Sequence, residues 1–577
     1  MATVSRFNEV KDPMEPTPYD TQICRQVELL LTTSETERVK ILDHEWVQKV
    51  ESFYNLAKPA DVQMPSFRPL IMIPELQFQM LSEASDLSDI QPRVYIVKHP
   101  SNERDKARET AIQAQWTTGD YNLEVLKAMI WSLFAGNGYI QVKLDPNAND
   151  GEGDVDVCAR HPGTVFADPY AGRDKDLSWV VVEDDMYLDE VRYRFPEHGV
   201  RVRRRRPGVA STRRTQIRLL PGPMTATGLM PMANRNMSAS MEPDPRVRVR
   251  TTWVRDYSIK KLVKEGKMKD PEKVLIRPSA VRRYPDWRQI VTCEGIVLYD
   301  GPAPLKRIPI ITFFGTPPLT GHFCPPPISY TKDMQNLAER LYRQTYENAV
   351  RLNNGVTYID ENTNISDEDF GGLPAELHVI ATGSRIPETK YPNAMPREMI
   401  ELPKVLLDMQ KEIQGFTPAR RGMTSAGNVS APLYDSSVLQ AQSVTRLRGK
   451  FAAVSFQRLA EVVFEVMARF YTVNRAFPSF KDEEADPIEW DAITGFDPVD
   501  YKIRIDQASI RPYSAAALRS MIPVLKQLGI IDSRTALELL EIPGREEIEK
   551  RLDAEAKQKA ALGQAAKASK GAGKPKK

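Results

Sequence analysis

Arg420 and Arg421 stand side by side inside Gly415–Pro432, which reads GFTPARRGMTSAGNVSAP, and no carboxylate falls between Glu412 and Asp435. Two guanidinium groups on Gly-, Pro- and Ser-rich chain can touch phosphate through charge alone, without reading sequence. Breaker chemistry of this kind stops a helix, so the segment is expected as a loop between two helical stretches. Taken by itself, the pair fits an ordinary exposed loop as well as a polyanion contact. The elements around it must decide.

Other chemistries lack their residues. No GxxxxGK[ST] phosphate loop occurs, and Gly571-Ala572-Gly573-Lys574 near the end has neither the spacing nor a preceding strand. HExxH, GxSxG and HxE…CxxC are absent. Asp145–Asp156 (DPNANDGEGDVD) places oxygens like a calcium loop at Asp145, Asn147 and Asn149. Its glycine falls at position 7 rather than 6, however, and its last residue is Asp156 rather than a bidentate Glu. A plain hairpin turn is the better reading. His99 and His161 each precede a proline and read as turn residues, and Cys158 near His161 has no second pair to complete a zinc site. Asp184-Asp185 and Glu546-Glu547 read as solvated charge on polar faces. The chain is therefore read as a non-enzyme with no metal and no cofactor.

At 577 residues, several domains are expected, and 41% hydrophobic content supports packed cores. Lys and Arg number 79 against 77 Asp and Glu, so any contact with nucleic acid must be local. The charge is uneven: residues 201–300 hold 17 Arg and 6 Lys against 9 acids. Within that block, Arg203–Arg206 opens a Pro-, Gly-, Met- and Ser-rich stretch, 200–245, read as an exposed insertion or a partner contact. Four scattered cysteines (Cys24, Cys158, Cys293, Cys324) suit free thiols in a reducing compartment. No apolar run is long enough to span a bilayer, and no export signal is read, so a soluble protein with no membrane partner is expected.

The elements that would position the loop follow from periodicity. Helical spacing marks Cys24–Thr32, Thr36–Ala57 and Asp105–Ala135, the last as one long helix or two joined ones, stopped by Gly136-Asn137-Gly138. Tyr139–Leu144 and Asp154–Ala159 alternate as a hairpin, Trp179–Glu183 reads as a strand and Leu188–Phe195 as a short helix. Val247–Val254, Ile290–Tyr299 and the apolar run Leu305–Phe314 suggest a strand-rich module ending in Pro325-Pro326-Pro327. Ile328–Asn353 reads as a long helix whose thin apolar stripe (Met334, Leu337, Leu341, Val350, Leu352) suits packing against copies of itself. Gly355–Asp360, His378–Thr382 and Tyr501–Ile505 read as strands. Arg397–Gln414 is helical and feeds the loop, and Tyr434–Val473 is a second long helix beyond it. Ala515–Ile530, Ser533–Glu541 and Arg545–Ala561 form a closing helical module.

This order of elements resembles the bacteriophage portal proteins, the head-to-tail connectors. The resemblance is carried by FAGNGYIQVKLDP, HPGTVFADPYAGRDKDLSWVVVEDDMYLDEVRYRFP, IPIITFFGTPPLTGHFCPPPISYTKDMQNLAERLYRQTYENAV, EIQGFTPARRGMTSAGNVSAP and LKQLGIIDSRTALELLEIPGREEIEKRLDAE. It implies an α+β, mainly helical, multi-domain protomer in a ring of twelve subunits at one capsid vertex of the virion, put together in the host cytoplasm. On that pattern 1–200 and 354–510 form the wing, 246–327 a clip-like module, 328–353 the stem helix and 512–562 the crown. The 200–245 insertion departs from the pattern, and 563–577 is a disordered tail. The implied role is a conduit for packaging and ejecting double-stranded DNA. The implied partners are further copies of the chain, sequence-independent DNA, the major capsid or scaffold protein, terminase, and tail or adaptor proteins. Arg420 and Arg421 would face the DNA, with Arg446, Arg448 and Lys450 as further candidates. Arg340, Arg343 and Arg351 would line the channel or, as the preferred reading, pair with Glu339 and Glu347 of adjacent stem helices. A ring-forming tail adaptor or scaffold without a DNA channel is the competing reading.

Overall fold

The computed structural model describes residues 16–41, 73–88, 94–97, 103–119, 121–202, 246–262, 280–284, 286–316, 318–353, 356–358, 388–390, 396–416, 443–472, 475–477, 486–488 and 502–505, with Ile522 and Lys526. The chain divides into two compact units, Met1–Met423 with Ala441–Ile510 and Thr424–Gln440 with Arg511–Lys577. Apart from Ile522 and Lys526, the second unit lies outside the described residues. With it go the crown-like module and the tail read from the sequence. The insertion from Arg203 to 245, and His378–Thr382, also lie outside.

The first unit is α+β. Its described helices are α1 (Pro18–Ile41), α2 (Glu75–Ser88), α3 (Glu103–Thr118), α4 (Tyr121–Ala135), α5 (Leu188–Arg194), α6 (Lys332–Asn353), α7 (Arg397–Ile413) and α8 (Ser443–Phe470). The segment Asp105–Ala135 resolves into two helices, because Gly119 interrupts it and a Cβ there would lie 2.7 Å from the Tyr121 ring. α1 is continuous where the sequence suggested a gap at Thr33 to Glu35. Thr33 and Thr36 bond carbonyls four residues back, and Ser34 reaches across to the Ala167 carbonyl at 2.9 Å.

Two sheets carry the body. Strands β2 (Asn137–Asp145) and β3 (Asp154–Arg160) form the expected hairpin, and β11 (Ile310–Phe314) adds on the other side of β2. The hairpin turn accepts left-handed backbone at Asn149, Asp150, Gly151 and Gly153. Its carboxylates are used internally: Asp145 caps the Asn147 N–H at 3.1 Å, and Asp154 accepts from Gln115 at 3.0 Å. The second sheet runs β10-β9-β6-β5-β4, built from β4 (Val165–Ala167), β5 (Trp179–Tyr187), β6 (Arg246–Val254), β9 (Arg288–Cys293) and β10 (Ile296–Pro302). The boundary read at 246 therefore runs through one sheet: β5 and β6 are antiparallel neighbours, and β11 belongs with β2.

The uninterrupted apolar start of β5, Trp179 to Val182, reflects burial on both faces. Trp179 and Val181 pack under Ile23, Val27 and Leu31 of α1, whereas Val180 and Val182 face Tyr139, Trp253 and Ile310. Further short pairs are β7 (Ile259–Leu262) with β8 (Ala280–Arg282), β12 (Val356–Tyr358) with β13 (Glu388–Lys390), and β14 (Arg475–Phe477) with β15 (Asp486–Ile488). β16 (Lys502–Ile505) pairs with β1 (Val94–Val97).

The largest core gathers around the second half of α8. Phe456, Leu459, Val462, Val463, Val466 and Met467 pack on Ile112 and Trp116 of α3, Val125 and Met129 of α4, and Ile140, Val142 and Phe313 of the three-stranded sheet. Gly138 lets β2 abut α4, since a Cβ there would fall 1.8 Å from the Ala128 carbonyl oxygen.

Candidate functional site

The described chain stops at Phe416 and resumes at Ser443, on either side of the arginine pair. α7 ends at Ile413, and Gly415 turns the chain with a φ of 79°. The Gly415 and Phe416 N–H groups close on the carbonyls of Glu412 and Lys411 at 3.0 and 2.8 Å. Gln414 then donates through Nε2 to the Pro327 carbonyl at 3.1 Å and the Thr331 hydroxyl at 2.8 Å, and Phe416 is buried beyond it. The end of α7 is thus fastened to the short 3-10 turn Pro327–Tyr330 that precedes α6. The sequence placed the start of the stem helix at Ile328. The α-helix itself begins at Lys332, because the preceding proline cluster leaves only a 3-10 turn before it.

α6 packs on α7 across a seam of buried amides. Gln335 accepts from the Leu76 N–H at 3.1 Å and donates to the Ile73 carbonyl at 2.7 Å and to Glu339 at 3.2 Å. Gln410 of α7 donates to Gln335 at 3.5 Å. Glu339 also accepts from the Ile73 N–H at 3.1 Å and from Arg343 at 3.5 Å. Burial pushes the Glu339 carboxyl up, against the hydrogen bonds from Ile73 and Gln335 and the charge of Arg343. In α8, where the described chain resumes, Arg448 lies against the fully buried Glu83 carboxylate of α2.

Each residue singled out in the sequence can now be located. Arg420 and Arg421 lie outside the described residues, four and five positions beyond Phe416. Arg343 is paired with Glu339 on its own helix, one turn away. Arg340 is exposed, Glu347 is part-buried on the same helix, and nothing is described for the Arg351 side chain. Arg446 and Lys450 are exposed on the first turns of α8, whereas Arg448 is engaged with Glu83 inside the fold. α6 thus has a neighbour within its own chain, α7.

Sequence reasoning missed how several described arginines of the basic block are paired with acids. Glu183 and Asp185 on β5 lie in register opposite Arg250 and Arg248 on β6. Arg250 donates to the buried Glu183 at 2.9 Å and to Glu28 of α1 at 2.5 Å. Arg288 grips Asp300 at 2.7 Å and Asp256 at 3.1 Å, Arg201 reaches Asp20 at 2.7 Å, and Arg160 pairs with Asp184. Asp184 and Asp185 are therefore ion-paired, not merely solvated. The signal was present as complementary strings, EDD in β5 and RVRVR in β6, but reading it needed the strand register.

The pairings shift the groups involved. The Asp300 hydrogen bond holds the Arg288 guanidinium above its ordinary range, against burial. Burial alone would push the carboxyls of Asp20, Asp256 and Asp300 up. Hydrogen bonds from Thr17 and Arg201 at Asp20, from Ser258 and Arg288 at Asp256, and from Arg288 and Tyr19 at Asp300 hold all three below the usual carboxylate range. All four cysteines are free thiols, and burial pushes Cys293 and Cys324 up to about 12, where a thiolate nucleophile does not form at neutral pH. Among the described residues, no cluster of His, Cys, Asp and Glu could hold a metal ion, and no helix is long and apolar enough to cross a membrane.

Residues 106–321 match the family model of the phage P22-like portal protein. The match supports a phage portal protein family. It begins in α3, spans the hairpin and both sheets of the body, and ends just before His322. The portal resemblance read from the sequence is thus borne out over the body. The α6–α7 pair, the loop and α8 lie beyond the matched residues. No curated protein matches the chain.

Proposed function

We propose that this chain is a portal subunit that forms a ring at one capsid vertex. The ring is the conduit through which double-stranded DNA is packaged and ejected, and the docking site for terminase and for tail or adaptor proteins. The portal-family match over 106–321 carries this reading. The order of elements beyond it, a proline turn, a long helix, a second helix and an Arg-bearing loop, agrees with it.

A conduit must touch phosphate without gripping it. Each engaged cation adds affinity by releasing counterions, and base-specific contacts would stall translocation. Several arginines of the body serve this demand by being spent on acids. Arg160, Arg250, Arg288 and Arg307 are all paired, so they do not hold passing DNA. Arg420 and Arg421 are the DNA-facing residues of this reading. A ring of such pairs, on loops fastened at Gln414 and Arg448, gives a diffuse positive collar on fixed roots.

The test is the double variant Arg420→Ala/Arg421→Ala in phage particles. Procapsids carrying it should assemble, yet package or retain less DNA than wild type. Normal packaging and retention would refute the loop assignment while leaving the portal role standing.

A further inference from the structure

α7 is inside-out for a surface helix. It buries Pro403, Leu407 and Gln410 against its own chain, with Gln414 buried just past its end, so an amide shares the face that an ordinary amphipathic helix keeps apolar. Its outward seam is Glu398, Leu402, Val405, Met409 and Glu412, spaced four, three, four and three residues apart. Val405 is 48% and Met409 51% exposed, with Ile413 at 56% on the flank. Such spacing gives one continuous stripe along a helix, apolar in the middle and acidic at both ends. Of the remaining charges, Arg397 is held by Glu401 at 2.7 Å, Lys411 lies 3.3 Å from Glu75 and 3.8 Å from Asp408, and Lys404 is exposed.

The complement lies on the same chain. The first half of α8 contains no acid from Ser443 to Ala460. Its outward stripe is Leu447, Lys450 and Val454, spaced three and four residues apart, with Val454 63% exposed and Arg446 beside Lys450. One stripe is apolar with acidic ends, and the other is apolar with a basic centre. Both are exposed on one chain, so they do not cover each other within it. Two complementary patches at different places on one molecule form a head-to-tail contact between copies, and such contacts close into rings when the rotation permits.

We infer that the α7 stripe of one copy docks on the α8 stripe of a second copy, with Lys450 seated against Glu398 or Glu412 and the apolar residues packed between. This deepens the ring reading above and rests on it. Leu447 and Val454 favour a protein surface over a phosphate backbone, because duplex DNA offers the Lys450 flanks nothing apolar along its phosphates. Lys450 then serves assembly rather than the channel.

The experiment uses the full-length chain, with mass in solution measured by light scattering across a concentration series and folding checked by circular dichroism. Wild type should assemble. Lys450→Glu, Met409→Glu and Glu398→Lys/Glu412→Lys should each stay folded but need at least about tenfold higher concentration to assemble, since like charges then face each other or a charge enters the apolar seam. Combining Lys450→Glu with Glu398→Lys/Glu412→Lys should restore assembly. The inference is overturned if these folded variants assemble as wild type does, or if the combined variant is no better than the singles. It is equally overturned if Lys450→Glu leaves assembly intact but weakens binding to linear duplex DNA, which would make the stripe a polyanion contact. A wild-type chain that stays monomeric at every concentration would remove the ring reading as well, and so separates the two failures.

Discussion

The body and the helical layer around α6 and α7 solve opposite problems. In the body, charge is closed: Glu183 is buried but held by Arg250, and Asp300 is held by Arg288 and Tyr19. Apolar side chains of both sheets are covered by α1, α4 and α8. In the helical layer the arrangement is reversed, with amides of Gln335, Gln410 and Gln414 inside and Val405, Met409 and Ile413 outside. A region complete in one chain sits beside a region that a single chain leaves unfinished. Contacts that satisfy themselves belong to the fold of the protomer, and on the proposed reading those left open serve its assembly.

The largest effect that could break this contrast is expected in the body. Arg250→Ala would leave Glu183, only 3% exposed, without its guanidinium, at a cost of about 3–5 kcal/mol. Chemical denaturation should show it as a clear fall in midpoint, and an unchanged midpoint would mean the body is not charge-closed. The acid limb of stability comes next. Asp20, Asp256 and Asp300 have folded carboxyls below their ordinary range. Their stabilisation is thus fully present above the unfolded value near pH 4 and lost as pH falls through the lower folded values. Melting temperature should hold from neutrality to about pH 5 and drop steeply below pH 4; a flat acid profile would deny these pairs their role.

The smallest effect belongs to the helical layer. Burial raises the Glu339 carboxyl, so its ionised form costs folding energy at neutral pH, and that cost is relieved as pH falls toward the raised folded value. Glu339→Gln keeps an acceptor for the Ile73 N–H and should change stability by less than about 1 kcal/mol, in either direction. A loss comparable to Arg250→Ala would show that this seam is charge-closed like the body.

The sequence made much of the body legible. Glycine punctuation at Gly136 and Gly138 marked the end of α4 and the start of β2, and alternation found the β2–β3 hairpin. Period-3.6 spacing found α7 and the apolar second half of α8. What failed were properties that depend on pairing across long separations. β5 and β6 are adjacent although some sixty residues intervene, so the partners of the β6 arginines could not be read when they lay on a strand assigned to another module. Arg448 looked like Arg446 and Lys450 in the string RLRGK, yet helical geometry turns it inward onto Glu83. Val454, within the apolar run of α8, faces out at 63% exposure. Of the candidate site, the loop boundary at Gly415 was readable from its breakers, and the glutamine anchors behind it were not, since amides carry no periodic signature.

The central claim is a ring that admits DNA, and electron microscopy of the purified full-length protein tests it most directly. The account predicts closed rings viewed end-on, each with a central opening wide enough for duplex DNA. Monomers, open filaments, or rings whose centre is closed to a duplex would contradict it.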